Sequence, residues 1–374
     1  MKYGKVKPLR HVLAKVADPR AEQGQRHQFI AILMLVSAAM LCGYDNPNQI
    51  ATWGQSLEPE FLRELGFKRG VAIAKSQLYA VLSQIDVAQL ERWLGSWVER
   101  VLHELDPDTP LLAVAVDGKT LRGSKKLGAA MSHLLSAVSH GLGLTLYQVG
   151  VDSKTNEIPL VQELLKGLLI EGRVFTMDAL LTQRQIAQTI VDHKGDYFMI
   201  AKGNQAHLQQ DIRLYFADPT APGVRHTTTL ELGHGRIERR TLYATPELND
   251  YLAWPAVGQA GLIERTRIVK DTGELLSHHR VCFVTSLTPD RASPAQLLQI
   301  NRGHWTIENK SHYVRDVSFN EDASRVRKGA SAQVMAAFRN VTLAALRRVG
   351  MTRIQETFIK NSAQPLNTLC YLCL

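Results

Sequence analysis

The sequence predicts an α/β protein in which helices flank a mixed sheet. Three observations indicate this class: residues 1–105 show helical periodicity, a wholly apolar run then ends at Asp117, and β-rich runs alternate with helical segments up to residue 216. One hydrophobic core seldom grows past roughly 250 to 300 residues. The 374-residue chain is therefore expected to form two or three structural units.

The N-terminal region, residues 1–105, is expected to be helical and is a candidate DNA-binding region. Apolar residues recur every three or four positions in 27–41, 77–83 and 87–105, and Asp86 is placed to cap the last helix. The apolar stretch 29–42 is shorter than the roughly 18 to 20 residues that cross a membrane. It predicts a buried helix, and no membrane association.

Residues 106–205 are predicted to form the first part of the catalytic core. The apolar run 111–116 favours a buried strand, two further β-rich runs follow at 134–138 and 144–151, and helices and strands then alternate. Residues 206–288 contain short β-like pieces, four prolines and the basic turn HGRIERR, and are interpreted as a β-rich insertion. Residues 289–374 are predicted to be the C-terminal helical part of the core.

The net charge of +9 is concentrated at the two ends of the chain. Residues 1–105 carry 13 Lys and Arg against 10 acids, and residues 289–374 carry 12 against 6. Such basic regions are typical of proteins that contact nucleic-acid phosphates. The four cysteines are too few for a disulfide framework, and Cys370 and Cys373 lack a second pair that would complete a zinc site. A cytoplasmic protein is expected.

Two carboxylates follow predicted strands. Asp117 ends the run LLAVAV, and Asp178 ends the run RVFTM. Ligands of open α/β sheets bind at the ends of strands, and phosphodiester chemistry uses carboxylates to hold metal ions. The alternative is that each Asp caps a turn, which is the usual meaning of Asp-Gly.

A third acid lies in the predicted helix NRGHWTIENKSHYVRDV. At 100° per residue, a single polar arc of about 80° contains Asn301, His304, Glu308, His312 and Arg315, with Trp305 beside it. An acid surrounded by two imidazoles, an amide and a guanidinium is more specific than a run of mixed charges. The alternative is the solvent-facing side of a packed helix.

Taken together, these segments resemble the H-repeat-associated family of bacterial insertion-sequence transposases, a branch of the "insertion sequence four" superfamily of Asp-Asp-Glu enzymes. The resemblance extends from Asp18 to Gly350. Its motifs are AVDGKTLRGS (115–124), DSKTNEI (152–158), DALLTQRQIAQTI (178–190), GDYFMIAKGNQ (195–205), GHGRIERR (233–240), HWTIENKSHYVRDVSFNEDASRVRKG (304–329) and MAAFRNVTLAALR (335–347).

The resemblance implies a ribonuclease-H-like core in which Asp117, Asp178 and Glu308 hold two Mg²⁺ ions, with Mn²⁺ as a substitute. It implies hydrolysis at transposon ends that frees a 3′-OH, followed by attack of this hydroxyl on target DNA. A homodimer on DNA is expected because two ends must be paired. Where the wider superfamily has Tyr, Arg and Lys around the glutamate, this chain has Asn301, His304 and Arg315.

Several side chains near these acids are candidate DNA contacts. Trp305 is a candidate for stacking on a flipped base, and packing against the core is its alternative. The other candidates are Lys119, Arg122, Lys202, Asn204, Gln205, Asn301, His304, His312 and Arg315. Spare carboxylates are Asp152, Glu157, Asp316, Glu321 and Asp322, of which Glu157 is the first replacement should the triad be wrong.

Two other classes of function remain open from the sequence. The first is a domesticated or inactive transposase-derived protein that only binds DNA. The second is a zinc-dependent hydrolase built on His304, His312 and Glu308, because zinc prefers sites rich in histidine whereas magnesium prefers oxygen ligands.

Overall fold

The computed structural model describes residues 6–23, 25–107, 109, 111–124, 133–151, 157–218 and 220–372. Asp152 and Cys373 lie outside the described residues, and for Glu157 only the backbone is described. The N-terminal helices are α1 (Leu9–Leu13), α2 (Phe29–Leu41), α3 (Pro47–Gln55), α4 (Pro59–Leu65), α5 (Lys75–Leu82) and α6 (Val87–Leu105).

Strands and helices then alternate. The elements are β1 (Leu112–Thr120), β2 (His133–Ser139), β3 (Thr145–Val151), α7 (Glu157–Lys166), β4 (Arg173–Met177), α8 (Arg184–Asp192), β5 (Asp196–Ala201) and α9 (Ala206–Tyr215). Next come β6 (Arg225–Gly233), β7 (Arg236–Thr245), β8 (Gln259–Val269), β9 (Leu275–Thr285), α10 (Pro294–Gly303), a π-helix (Ile307–His312), α11 (Tyr313–Ser318), α12 (Ser331–Arg348), α13 (Ile354–Ala363) and α14 (Asn367–Leu372).

The chain divides into two compact units. The first unit comprises Met1–Thr109, Gly118–Thr155 and Ile307–Leu374, and the second comprises Pro110–Asp117 and Asn156–Thr306. Strand β1 contributes residues to both.

The core of the first unit is built around α2. Every residue of this helix except Ile30 is buried, and α1, α3, α12 and α14 pack around it. A helix that is apolar on all sides is stable in water only inside a core, so the predicted buried helix is confirmed. Within the described residues, the structure contains no helix with the length and apolar character of a membrane span.

The described strands form one mixed sheet in the order β3-β2-β1-β4-β5-β9-β8-β7-β6. Strands β1, β4 and β5 are parallel neighbours, whereas β2 with β3 and the four strands β6 to β9 are antiparallel. Residues of β4 and β1 are buried because helices cover the sheet, as expected of strands in the middle of an α/β protein. The predicted fold class, a mixed sheet with flanking helices, is confirmed.

The region predicted as a β-rich insertion continues the sheet of the core. Strand β9 pairs antiparallel with β5, and β8, β7 and β6 follow as a meander. The sequence predicted short β-like pieces here, but the four strands are 9 to 11 residues long. Charged and apolar residues alternate irregularly along these strands, so the sequence periodicity did not indicate their full length.

Two local predictions differ from the structure. Strand β1 does not end before Asp117 but continues through Asp117 and Gly118 to Thr120, so Asp117 lies in a strand and not in a turn. The segment 301–317 is not one regular α-helix. Helix α10 ends at Gly303, residues 304 and 305 form a turn, and a π-helix begins at Ile307.

Candidate active site

Asp117 and Asp178 follow directly on a pair of residues that are in register in neighbouring parallel strands. Val116 of β1 pairs with Met177 of β4. Adjacent strands lie about 4.8 Å apart, so Asp117, still within β1, and Asp178, directly after β4, lie side by side. The second unit thus brings the first two acids of the predicted triad to one edge of the sheet.

The carboxylate of Asp178 is held in place by its neighbours. Its Oδ1 accepts from the backbone N–H of Ala179 at 2.7 Å and from Lys202 Nζ at 3.2 Å. Burial alone would raise the pKa of Asp178, but these hydrogen bonds and the charge of Lys202 outweigh burial and lower it. Asp178 is therefore ionised, and the ammonium group of Lys202 lies beside it.

Asn204 and Gln205 hold the loop that carries Asp178. The side-chain amide of Asn204 donates to the carbonyl of Ala179, and that of Gln205 donates to the carbonyl of Thr182 at 3.0 Å. Both amides, which the sequence suggested as DNA contacts, are thus engaged with the protein backbone.

His304 contacts the strand that leads to Asp178. Its Nδ1 lies 2.9 Å from Oγ1 of Thr176, a residue two positions before Asp178 and itself buried. Burial lowers the pKa of His304, although the nearby Asp178 charge acts in the opposite direction. Thr176 was not singled out by the sequence, because an isolated Thr in a strand carries no motif.

Glu308 and His312 lie in the π-helix. His312 Nδ1 is 3.2 Å from Oε2 of Glu308, and the imidazole is buried whereas the carboxylate is exposed. Since a carboxylate only accepts, Nδ1 carries the proton and Nε2 keeps its lone pair. Burial, together with the charges of Arg315 and Lys119, lowers the pKa of His312 to about 3, so the imidazole is neutral.

Each unit contributes groups that can hold a metal ion. The second unit offers the carboxylates of Asp117 and Asp178, and the first offers the carboxylate of Glu308 with the neutral imidazole of His312 beside it. Carboxylates suit a hard divalent cation, because they present oxygen lone pairs and negative charge. The carboxylate of Asp178 is engaged with Lys202.

Lys119 and Arg315 lie in a buried network of charges in the first unit. Lys119 Nζ binds Asp316 at 2.6 Å, and Arg315 Nη2 binds Glu321 at 2.9 Å. The Arg315 side chain is 0% exposed. The interpretation of these two cations as phosphate contacts therefore does not fit their positions, because both are compensated by acids inside the protein.

The same network accounts for the spare acids. Glu321 also binds Arg339, at 3.0 Å, and Asp322 lies 3.6 Å from Arg122. Burial would raise the pKa of Glu321, but the adjacent Arg315 and Arg339 hold it well below its usual range. The pairing of Glu321 with Arg339 was not predicted from the sequence, because 18 positions separate the two residues and they lie in different elements.

The remaining candidates face solvent. Trp305 is 60% exposed, so it does not pack in the core, and Arg122 and Lys202 are exposed as well. Asn301, near the end of α10, is partly buried.

Comparison with known proteins decides the family. Residues 108–345 match the family model described as "Transposase DDE domain", and residues 10–98 match the model described as "DDE_Tnp_1-associated". The chain belongs to the DDE transposase family.

Its relatives include DDE transposases of the predicted branch. The chain is 31% identical over 353 residues to "Putative transposase YncI" of Escherichia coli O157:H7, which covers 91% of this chain and 88% of the relative. It is 28% identical over 352 residues to "H repeat-associated putative transposase YhhI" of Escherichia coli strain K12, with 90% of each chain covered. The resemblance to H-repeat-associated transposases is confirmed.

Among solved structures, a piggyBac transposase synaptic complex with hairpin DNA aligns with this DDE transposase at a TM-score of 0.43 and 11% identity. The alignment covers 98% of this chain and 77% of that chain.

Proposed function

We propose that this transposase cleaves DNA strands at transposon ends in a metal-dependent reaction and transfers them into target DNA. Membership in the DDE family supports a transposase function. The observation that carries the chemistry is the pairing of Val116 with Met177, which sets the carboxylates of Asp117 and Asp178 next to each other in the second unit.

The proposed ligands of two Mg²⁺ ions, or of Mn²⁺ as a substitute, are Asp117, Asp178 and Glu308. When bound, such ions activate an attacking oxygen and stabilise a leaving one. The chain's own contribution is to position the carboxylates: β1 and β4 align the two aspartates, and His312 orients Glu308. Lys202 pairs with Asp178 at 3.2 Å and would compensate the charge of this carboxylate in the metal-free protein.

DNA is the proposed partner, and the exposed polar and aromatic side chains at the site are the proposed contacts. These are Arg122, Lys202, Trp305, Asn301 and the partly buried His304. Lys119, Arg315 and His312 act from inside the protein, and Asn204 and Gln205 act by holding the Asp178 loop. The N-terminal region, residues 1–105, is proposed as a further DNA-binding region, and a homodimer would pair two transposon ends.

The test is cleavage of a plasmid that carries this gene with its flanking DNA. Asp117→Asn, Asp178→Asn and Glu308→Gln should each abolish cleavage while leaving DNA binding within a few-fold of wild type, because each removes a metal-binding charge. Glu356→Gln, an exposed acid on α13 paired with Arg353, is the matched control and should cleave normally.

Metal dependence separates the alternatives. Cleavage supported by Mg²⁺ or Mn²⁺ but not by Zn²⁺ agrees with the proposal, and activity with Zn²⁺ alone would indicate the zinc hydrolase. If the wild-type chain binds DNA but does not cleave it in the presence of any of these ions, the result would indicate the DNA-binding descendant. Cleavage that survives any one of the three substitutions would remove that residue from the triad.

A further inference from the structure

Four arginines share one face of the antiparallel meander. In the register of β7 and β8, Arg240 pairs with Arg265 and Glu238 pairs with Arg267. Residues directly opposite one another, and residues two apart along a strand, lie on the same face of a sheet. Arg236, Arg240, Arg265 and Arg267 therefore form one surface, here called the arginine face.

The acids on this face do not balance its positive charge. Glu238 binds Arg240 and Arg267, and Glu231 of β6 binds Arg240 and Arg302 of α10. Each carboxylate is thus shared by two guanidinium groups. With Arg302 included, five arginines meet two glutamates, which leaves a net charge of about +3.

Arg236 and Arg265 have no carboxylate partner among the residues that the structure describes. Both are partly exposed. Burial and the neighbouring Arg267, Arg240 and Arg236 charges lower the pKa of Arg265, although Glu238 acts in the opposite direction. A guanidinium held beside three like charges costs stability, unless an anion compensates it.

The register also fixes where the arginine face lies relative to Asp178 within the second unit. Ala201, the last residue of β5, pairs with Cys282 of β9, so β9 from residue 281 to 275 runs beyond the end of β5. This is the sheet edge that carries Asp178 and Lys202. Asp178 is level with Ile200, which pairs with Phe283 of β9. Arg265 pairs with His279, four residues past Phe283, so it lies about 13 Å beyond Asp178 along the strands and three strands, about 14 Å, to the side.

We propose that the arginine face binds backbone phosphates of the DNA substrate, a few base pairs from the phosphodiester that is cut. This inference rests on the proposed function, since it assumes that DNA lies along the edge of the sheet at Asp178. A separation of about 19 Å corresponds to about six base pairs at 3.4 Å per step. Guanidinium groups suit this role because their paired N–H donors match two phosphate oxygens.

The test compares Arg236→Gln and Arg265→Gln, singly and together, with Arg239→Gln. Arg239 is the matched control, because it lies on the same strand between Glu238 and Arg240 but faces the opposite side of the sheet. The probe is a short linear duplex of mixed sequence, titrated at several salt concentrations. Each phosphate contact that is lost should reduce the slope of log Kd against log salt by about 0.9 and weaken binding roughly three- to tenfold, independent of sequence.

The expected result is a slope reduced by about two in the double variant and unchanged in Arg239→Gln. The melting temperature of Arg265→Gln should equal or exceed that of wild type, because the substitution relieves repulsion among arginines. An unchanged slope in the double variant would overturn the proposal. If the unchanged slope came with a lower melting temperature, the arginine face would instead stabilise the fold. If it came with an altered oligomeric state in sedimentation, the arginine face would instead bind a protein partner.

Failure of the proposed function gives a different result. If the wild-type chain neither cleaves nor binds the duplex, the DNA substrate itself is wrong. If it binds and cleaves while the double variant matches wild type, only the arginine face is wrong.

Discussion

His312 Nδ1 donates to the carboxylate of Glu308 across one turn of the π-helix, at 3.2 Å. The imidazole is 4% exposed and the carboxylate 55% exposed, so a buried side chain holds an exposed one. Single turns of π-helix occur often at functional sites because the wider turn re-aims its side chains. Here the turn directs Glu308 outward while a neutral, buried imidazole fixes the orientation of its carboxylate.

Replacing His312 by Asn should weaken the response to metal without abolishing cleavage. The substitution removes the group that orients Glu308, and loss of such supporting contacts costs roughly 10- to 100-fold in metal affinity. The measurement is cleavage rate against Mg²⁺ concentration: the half-saturating concentration should rise more than the maximal rate falls. His207→Asn, an exposed histidine on α9, is the control. An unchanged Mg²⁺ titration in His312→Asn would show that the contact is incidental.

Glu321→Gln should destabilise the fold by about 3 to 5 kcal/mol, because it leaves the buried Arg315 and Arg339 guanidinium groups without their shared carboxylate. Urea unfolding measures the loss. Glu356→Gln breaks an exposed pair with Arg353 and should cost no more than about 1 kcal/mol. Equal effects of the two changes would contradict the structural role of the network.

The same network predicts how Arg315 behaves. Arg315→Met should lower stability but leave the salt dependence of DNA binding by the folded protein unchanged, since the guanidinium is buried. A slope reduced by about one would instead show that Arg315 reaches a phosphate.

Trp305→Ala should weaken DNA binding without a loss of stability, because the indole is 60% exposed and buries little surface. Stacking on a base is worth ~1 to 3 kcal/mol, so Kd should rise roughly 5- to 150-fold. Fluorescence anisotropy with single-stranded and hairpin DNA measures the change, and thermal unfolding confirms the fold. Tyr251→Ala, an equally exposed aromatic in the second unit, is the control. Equal affinities of Trp305→Ala and wild type would rule out stacking.

Stability should fall between about pH 4.5 and pH 8 because of Glu91. Burial raises the pKa of Glu91 to about 8, although a hydrogen bond from Gln148 acts in the opposite direction. In this window the folded chain retains a proton that the unfolded chain releases, so each rise in pH favours unfolding. The full effect is on the order of a few kcal/mol and levels off above pH 8.

Glu91→Gln should remove this dependence. The variant should therefore melt above wild type at pH 8 to 9, and the difference should shrink towards pH 4.5. Parallel melting curves of the two proteins over this range would contradict a buried, protonated Glu91. Ala88→Glu, which adds a titratable acid at an exposed position of the same helix, is the control.

The local structure was largely predictable from the sequence. Strand β4 spans the run RVFTM, residues 173–177, from which it was predicted, and Asp86 caps α6 by accepting from the backbone N–H of Gln89 at 3.0 Å. Such features depend on side chains a few positions apart. Helices α3 and α4 were not predicted, because each is short and begins at a proline after a polar segment.

Prediction was weaker where geometry departed from the regular case. The calculated arc from Asn301 to Arg315 assumed 100° per residue, and the turn at 304–305 and the following π-helix break that assumption. The close pair of Glu308 and His312 survived, since residues four apart still face each other in the wider helix. Arg315 did not remain on that polar face but turned into the core.

The sequence by itself determined the fold class and the family, because periodicity and motifs are written in neighbouring residues. Only the tertiary structure decided that Asp117 and Asp178 are neighbours and that Lys119 and Arg315 are compensated inside. It also decided that Arg265 pairs with no carboxylate in the part of the chain that the structure describes. The physical reason is that burial and charge pairing depend on residues far apart in the chain. Arg339 meets Glu321 across 18 positions, and Lys119 meets Asp316 across 197.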